Sequence, residues 1–442
     1  MSPVLLQGSP SRLRPPFASF AIAIAPVLLG GWFIYVGIAS FAGLADRPIA
    51  LPQAGMSATF MDDFVVFHSA GAHVSELGGD VYDPPTISVI EAEATGQDPD
   101  RVVVLPFFNP PSALLLFSPF ALLPLQAAAA LWMASGLLIA LVSLRWLMRE
   151  TGGLSQDTTL LAVLGVCSSL PFFHVFLHGQ MTFLLLAGFC LYGVGLLRER
   201  TAPVLGGLLL LALKPVFLPL PLIYLALRRQ FRLLAGFVAI EGALVLMAAI
   251  LFGPRLPLDY LSMSVKAIGW DEVNGISTYG MFGWTGFWRG ILGPDMHAPQ
   301  MALVAVSSLF TIAAFCWTCR DGKNPLTVLG IMALASLMLS PHSYAQDLIL
   351  VAFAFLVLSS SDQQNPTWPI LAVGAWFAGY VHFDLLPMSG IGTANVALII
   401  LTGYAFADAM RSGAPALSVA PAYRSTIPHL DAGLSTADAA GS

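Results

Sequence analysis

Long apolar stretches dominate this chain, and twelve of them are candidates for crossing a membrane. Their approximate spans are 17–45, 125–148, 158–176, 181–197, 203–213, 215–227, 232–252, 299–319, 326–340, 347–359, 367–381 and 391–410. A full helical crossing takes about 20 residues. The two stretches that flank Lys214 are shorter, so they are expected to be tilted, buried among other helices or extended at their ends. A different pattern lies between residues 60 and 79, FMDDFVVFHSAGAHVSELGG. There Phe60, Phe64, Phe67, Gly71, Val74 and Leu77 recur near helical spacing, which predicts an amphipathic helix starting near Asp62. The cluster Gly79, Asp80, Val81, Tyr82, Asp83, Pro84 and Pro85 is turn chemistry. Residues 110–124 are apolar but hold four prolines in fifteen positions, so they are expected to lie along a membrane surface rather than to cross.

Composition supports lipid as the solvent. Of 442 residues, 57% are hydrophobic and only 10% charged. A soluble domain carries roughly 25% charged residues, so too little charge is present to clothe a water-soluble core of this size. The net charge of −6 says little, because the charges are unevenly spread. Their order says more. With the N-terminus in the cytoplasm and the twelve spans alternating, 13 of the 19 basic residues fall inside: Arg12, Arg14, Arg145, Arg149, Arg198, Arg200, Arg228, Arg229, Arg232, Arg320, Lys323, Arg411 and Arg424. This is the positive-inside bias. Arg47, Arg101, Lys214, Arg255, Lys266 and Arg289 fall outside. Two outer loops are long, at 46–124 and 253–298, so the outer face is the expected working face.

The run after Arg12 and Arg14 is about twice the length of a signal-peptide core and reads as an uncleaved first crossing. Residues 412–442, rich in Ala, Ser, Pro and Thr, read as a disordered cytoplasmic tail beyond a single transmembrane domain, 1–411. Cys316 and Cys319 form a C-x-x-C without further metal ligands nearby, so they and Cys167 and Cys190 read as buried or interfacial thiols. Asp62, Asp63, His68 and His73 contain no metal motif, and no metal is expected. Asp63 has two readings: an ordinary helix-capping residue, or a carboxylate that is ionised at neutral pH and serves as a general base.

Several motifs in order resemble glycosyltransferase family 87, the polyprenyl-phosphate-sugar-dependent transferases of the GT-C fold. They are Asp63-Phe64-Val65-Val66-Phe67 with Ala70 and Gly78, followed by Tyr82-Asp83-Pro84. Next come Asn109-Pro110-Pro111, His178-Gly179-Gln180 before an apolar helix, and Gly206-Gly207 leading to Lys214-Pro215 and Arg228-Arg229. Last is Ser340-Pro341-His342-Ser343-Tyr344, closing with Asp347. Together they cover roughly residues 20 to 360. Relatives often carry Asp-His or Asp-Tyr in the last motif, where this chain has Ala345-Gln346.

The resemblance implies an all-α, GT-C type polytopic bundle of about twelve crossings, with juxtamembrane helices in the first outer loop. It implies an inverting hexosyl- or pentosyltransferase, mannosyltransferase-like, that moves a sugar from a polyprenyl phosphate to a hydroxyl of a lipid or glycan. Asp63 occupies the position of the family's base, with Asp62 as its near neighbour. Displacement at an anomeric carbon with a phosphate leaving group also needs cations or donors for the phosphate. Lys214, on the outer side against the charge rule, is the first candidate, its alternative being a lysine that snorkels to the interface. Gln180 with His178 is the second, with a helix cap as the alternative. His342 either orients the base, contacts phosphate or is structural. Asp347, Lys266 and Arg289 are further candidates, with capping or loop roles as alternatives. Trp270, Tyr279, Trp284, Phe287 and Trp288 read better as interface anchors than as sugar-stacking groups. Glu241, inside an apolar run, has no assigned role.

The expected partners are a lipid-linked sugar donor, a lipid or glycan acceptor and the membrane, with no nucleic acid and no cofactor. The expected site is the inner membrane of a cell, with the chemistry facing the periplasm or exterior. A transporter or flippase of lipid-linked sugars is the competing reading, and a non-catalytic scaffold is a third. Internal repeats would favour transport; the sequence shows none.

Overall fold

The computed structural model describes residues 49–50, 57–58, 61–76, 80–95, 105–152, 162–163, 165–273, 280–293, 295–320, 323–361, 365, 367–389 and 392–411. The expected first crossing, 17–45, and the expected tail, 412–442, lie outside the described residues. Among the described residues the chain is helical, apart from a two-residue antiparallel pairing of Ile49–Ala50 with Ser57–Ala58.

The helices are α1 (Asp62–Glu76), α2 (Pro84–Thr95), α3 (Pro111–Phe117), α4 (Leu125–Glu150), α5 (Leu170–His178), α6 (Thr182–Arg198), α7 (Thr201–Ala212) and α8 (Pro219–Leu227). They continue with α9 (Phe231–Phe252), α10 (Leu256–Val273), α11 (Gly283–Leu292), α12 (His297–Arg320), α13 (Pro325–Leu339), α14 (Ile349–Ser361), α15 (Thr367–Ser389) and α16 (Thr393–Arg411). By length and composition α4, α9, α12 and α16 are able to cross a bilayer, and α5 with α6, bent by 119°, makes a fifth at most among the described residues. The expectation of twelve crossings therefore meets many shorter apolar helices, including α7, α13 and the stretch Pro111–Leu122.

Local chemistry explains the breaks. Pro215 lacks the amide that would continue α7, and Lys214 before it leaves the helical region (φ −128°, ψ 84°). Ser169 caps α5 by accepting from the Phe172 amide, and Asn324 caps α13 by accepting from the Leu326 amide. Gly179 ends α5 in the left-handed conformation.

The core is built on α6 and α13, both buried along nearly their whole length. Helices α6 and α7 approach closely because Gly188 and Gly207 face each other; a Cβ on Gly207 would sit 2.6 Å from the Gly188 carbonyl oxygen. The long helices α9 and α12 instead present Val238, Leu246, Ile250, Val306, Leu309 and Phe310 outward, the pattern of surfaces solvated by lipid. Cys316 and Cys319 share α12, and all four cysteines are free thiols.

Candidate active site

The site is assembled around the start of α1. The helix begins at Asp62, so both aspartates stand in its first turn, where the helix dipole favours negative charge. The Met61 amide donates to the Leu177 carbonyl at 2.7 Å, tying this turn to the end of α5. Downstream, α1 is clamped by rings: Phe64 stacks on Trp132 and Phe67 on Phe117, with centroids 5.8 and 4.6 Å apart.

The His178-Gly179-Gln180 turn is seated against the same helix. Trp132 Nε1 donates to the Gly179 carbonyl at 2.9 Å. A Cβ on Gly179 would meet Phe64 Cβ at 2.6 Å, so both backbone conformation (φ 65°) and space demand glycine here. His178 Nδ1 lies 2.8 Å from Asp62 Oδ1, and its Nε2 lies 3.3 Å from His174 Nδ1. Both ring nitrogens of His178 are thus engaged inside the chain. Gln180 Oε1 accepts from the Met181 amide, and the Gln180 side chain hydrogen-bonds Asp63.

Asp63 is not the ordinary carboxylate that the sequence suggested. Burial raises its pKa first and the Asp62 carboxylate adds to that; His178, the Gln180 hydrogen bond and Lys214 oppose, and the balance lies at about 7.

Lys214 stands where α7 breaks. Its Nζ is 2.6 and 2.8 Å from the two carboxylate oxygens of Asp347, which is fully buried. Asp347 also accepts from the Tyr344 amide at 3.2 Å, so it is both a cap and an ion-pair partner. An ammonium has three donors, and this pairing leaves one for another acceptor. Asn109 supports the turn: its side-chain amide donates to the Leu213 carbonyl at 2.7 Å, and its own carbonyl accepts from the Tyr82 hydroxyl at 2.8 Å. The ring of His342 stacks on Phe108, 6.0 Å between centroids, and the 345–348 turn packs against α5. The separate sequence motifs thus meet in one region.

Other candidates are placed elsewhere. Arg289 lies on α11, which packs chiefly against α12, α13 and α16; Trp284 and Trp288 on that helix donate to Thr311 and Ser307 of α12. Lys266 belongs to α10, and its side chain lies outside the described residues. Glu241 of α9 accepts from the Ser112 hydroxyl at 2.5 Å.

Two groups near the aspartates were missed in the sequence. Glu91 of α2 is buried, and its burial first, then Asp62 and Asp63, hold its pKa up at about 8 against a backbone hydrogen bond from Leu105. Its spacing of four from the buried Ile87 was the available signal. His174 carried the same signal, four residues before His178.

Asp62, Asp63 and His178 are the described group whose ligand atoms, all within 4.8 Å, are close enough to share a metal ion. Within that group His178 Nδ1 and Asp62 Oδ1 are hydrogen-bonded to each other at 2.8 Å.

Comparison with known proteins covers the motifs from Asn109-Pro110-Pro111 to Ser340-Pro341 and leaves Asp63 and Asp347 outside the matched span. The family model described as glycosyltransferase family 87 matches residues 107–341. A polyprenol-phosphate-mannose-dependent alpha-(1-2)-phosphatidylinositol pentamannoside mannosyltransferase of Mycobacterium tuberculosis (strain CDC 1551 / Oshkosh) is 26% identical over 275 residues, 61% of this chain and 62% of that protein. The match therefore spans less than two thirds of that relative's length. No solved structure matches the chain. The family model covers more than half of the residues, and the chain belongs to glycosyltransferase family 87.

Proposed function

We propose that this membrane glycosyltransferase moves a sugar, most simply mannose, from a polyprenyl phosphate to a hydroxyl of a lipid or glycan acceptor, with inversion at the anomeric carbon. The observation that carries the reading is the seating of the Asp62-Asp63 turn against the His178-Gly179-Gln180 turn, through the Met61–Leu177 and Asp62–His178 hydrogen bonds, with the charge of Lys214 near enough to lower the pKa of Asp63. Asp63 is the general base: it takes the acceptor proton as the acceptor oxygen attacks. A base with its pKa near the working pH suits that task. The third donor of Lys214 receives the phosphate as it leaves, while Asp347 fixes the ammonium in place. His342, beside Phe108, is the next group to meet donor or base. The mannose donor of the mycobacterial relative supports the choice of sugar and carrier. In this reading the chemistry lies on the outer face of a multi-pass GT-C type bundle in the cell membrane, and the positive-inside bias of the twelve-span alternation supports that side.

The test is transfer by the purified full chain from polyprenyl phosphate mannose to membrane lipid extracts. Asp63→Asn is expected to lower kcat by about 100-fold or more while leaving donor binding nearly unchanged. Transfer by Asp63→Asn within twofold of the unsubstituted protein would end this reading.

A further inference from the structure

The proposed reaction creates a proton that has to leave. As the acceptor oxygen bonds to the anomeric carbon, its proton passes to the Asp63 carboxylate. The bond between that carbon and the phosphate oxygen breaks, and its electron pair goes to the phosphate. The donor is a phosphodiester with one negative charge, and the product is a phosphomonoester with about −1.5 to −2 at neutral pH. The leaving group therefore does not need the proton. It stays on Asp63, and no second acceptor can be activated until it is gone.

We propose that Asp62, His178 and His174 form a relay that carries this proton out of the site. The inference rests on the transferase reading above. The three groups are connected atom by atom. The Asp63 amide donates to Asp62 Oδ1 at 2.9 Å, and the same oxygen faces His178 Nδ1 at 2.8 Å. His178 Nε2 faces His174 Nδ1 at 3.3 Å. The carboxylate oxygens of Asp63 and Asp62 and a ring nitrogen of His178 lie within 4.8 Å of one another, a span that one water bridges with two hydrogen bonds of about 2.8 Å each. The two histidines stand four apart on α5 and so share a face, with ring centroids 5.4 Å apart. Neutral His178 passes a proton by accepting at Nδ1 while donating from Nε2. His174 is partly exposed and ends the path away from Asp63.

Among the described residues, the following charged groups stand around the path. Asp62 and His178 face Asp63, Lys214 reaches it from the break after α7, and Glu91 stands near both aspartates on α2. Asp62, Asp63 and His174 face His178. His174 and His178 are positioning and proton-moving residues, and Asp63 alone touches the reacting hydroxyl.

The test compares full-length His174→Phe and His174→Gln with the unsubstituted protein. In transfer from polyprenyl phosphate mannose, His174→Phe is expected to lower kcat by about tenfold and to leave the donor KM within about twofold. Its pH profile should move to higher pH, and added imidazole should restore the rate. A kcat and profile like those of the unsubstituted protein would overturn the relay. A loss that imidazole does not relieve, or that the Gln variant relieves, would mark a structural or hydrogen-bonding role and overturn it as well. A second readout needs no donor. The infrared band of protonated Asp63, assigned by its loss in Asp63→Asn, follows the carboxyl's proton after a pH jump. In His174→Phe the exit is cut and the band should respond about tenfold more slowly. An unchanged response counts against the relay even where no transfer is seen, an outcome that would sink the transferase reading instead.

Discussion

Asp63 carries opposite demands on stability and on catalysis. Its carboxyl ionises near 3.8 in an unfolded chain and at about 7 in the fold. Between those values the folded state binds more protons than the unfolded one, so stability falls as pH rises across that window. The fraction of ionised base rises over the same window. Transfer is therefore expected to climb with pH through about 7 while the unfolding temperature declines, and Asp63→Asn should flatten the decline. Rates and differential scanning fluorimetry over one pH series check both. The aspartate itself was legible in the sequence, as a carboxylate at a helix start. Its shifted ionisation was not, because the packing around the start of α1 comes from distant partners such as Leu177, whose carbonyl the Met61 amide reaches. Lys214 was legible as an isolated cation in an apolar stretch, whereas Asp347 looked like a cap and only the fold reveals its second partner.

At the scale of elements, the decisive piece is the tight turn between α5 and α6. Helix periodicity and the His-Gly-Gln motif located it, and the bend of 119° was out of reach, since packing from Phe64 and Trp132 sets it. Gly179→Ala adds a methyl in a left-handed conformation against Phe64. The conformational cost and the overpacking together suggest about 2–4 kcal/mol. The expected outcome is a lower unfolding temperature together with a reduced kcat, because the same shift moves His178 and Gln180 away from the aspartates. Stability retained within about 0.5 kcal/mol would mean that α1 yields easily at this point. The break at Lys214-Pro215 was readable from proline chemistry alone, and the breadth of apolar sequence around it hid which helices cross.

Across the whole molecule, the pair Lys214–Asp347 joins positions 133 residues apart. Removing one member leaves a buried charge, which costs about 3–5 kcal/mol, whereas replacing both with apolar groups is often close to neutral. Lys214→Met alone is expected to destabilise by that amount, and Lys214→Met with Asp347→Leu to recover most of it without recovering transfer. Thermal unfolding of the two variants beside a transfer assay separates structure from chemistry; recovered transfer in the double variant would remove Lys214 from the reaction. The order of helices and the family motifs were visible along the chain, but their convergence depends on contacts of this length, which no local pattern encodes.

The shortness of α7 has a consequence for how the substrate arrives. From Arg200 to the break at Lys214 the chain climbs a twelve-residue helix, at most about 18 Å, while the hydrocarbon layer is about 30 Å thick. With Arg200 at one headgroup plane and α7 running along the bilayer normal, the ammonium would stop short of the headgroups on the other face. A lipid-borne phosphate must then be drawn inward from its own headgroup plane, or the bilayer must dimple around the protein to meet it. The enzyme would in that sense read membrane thickness as well as chemistry, with the lipid surroundings setting how far each donor has to descend.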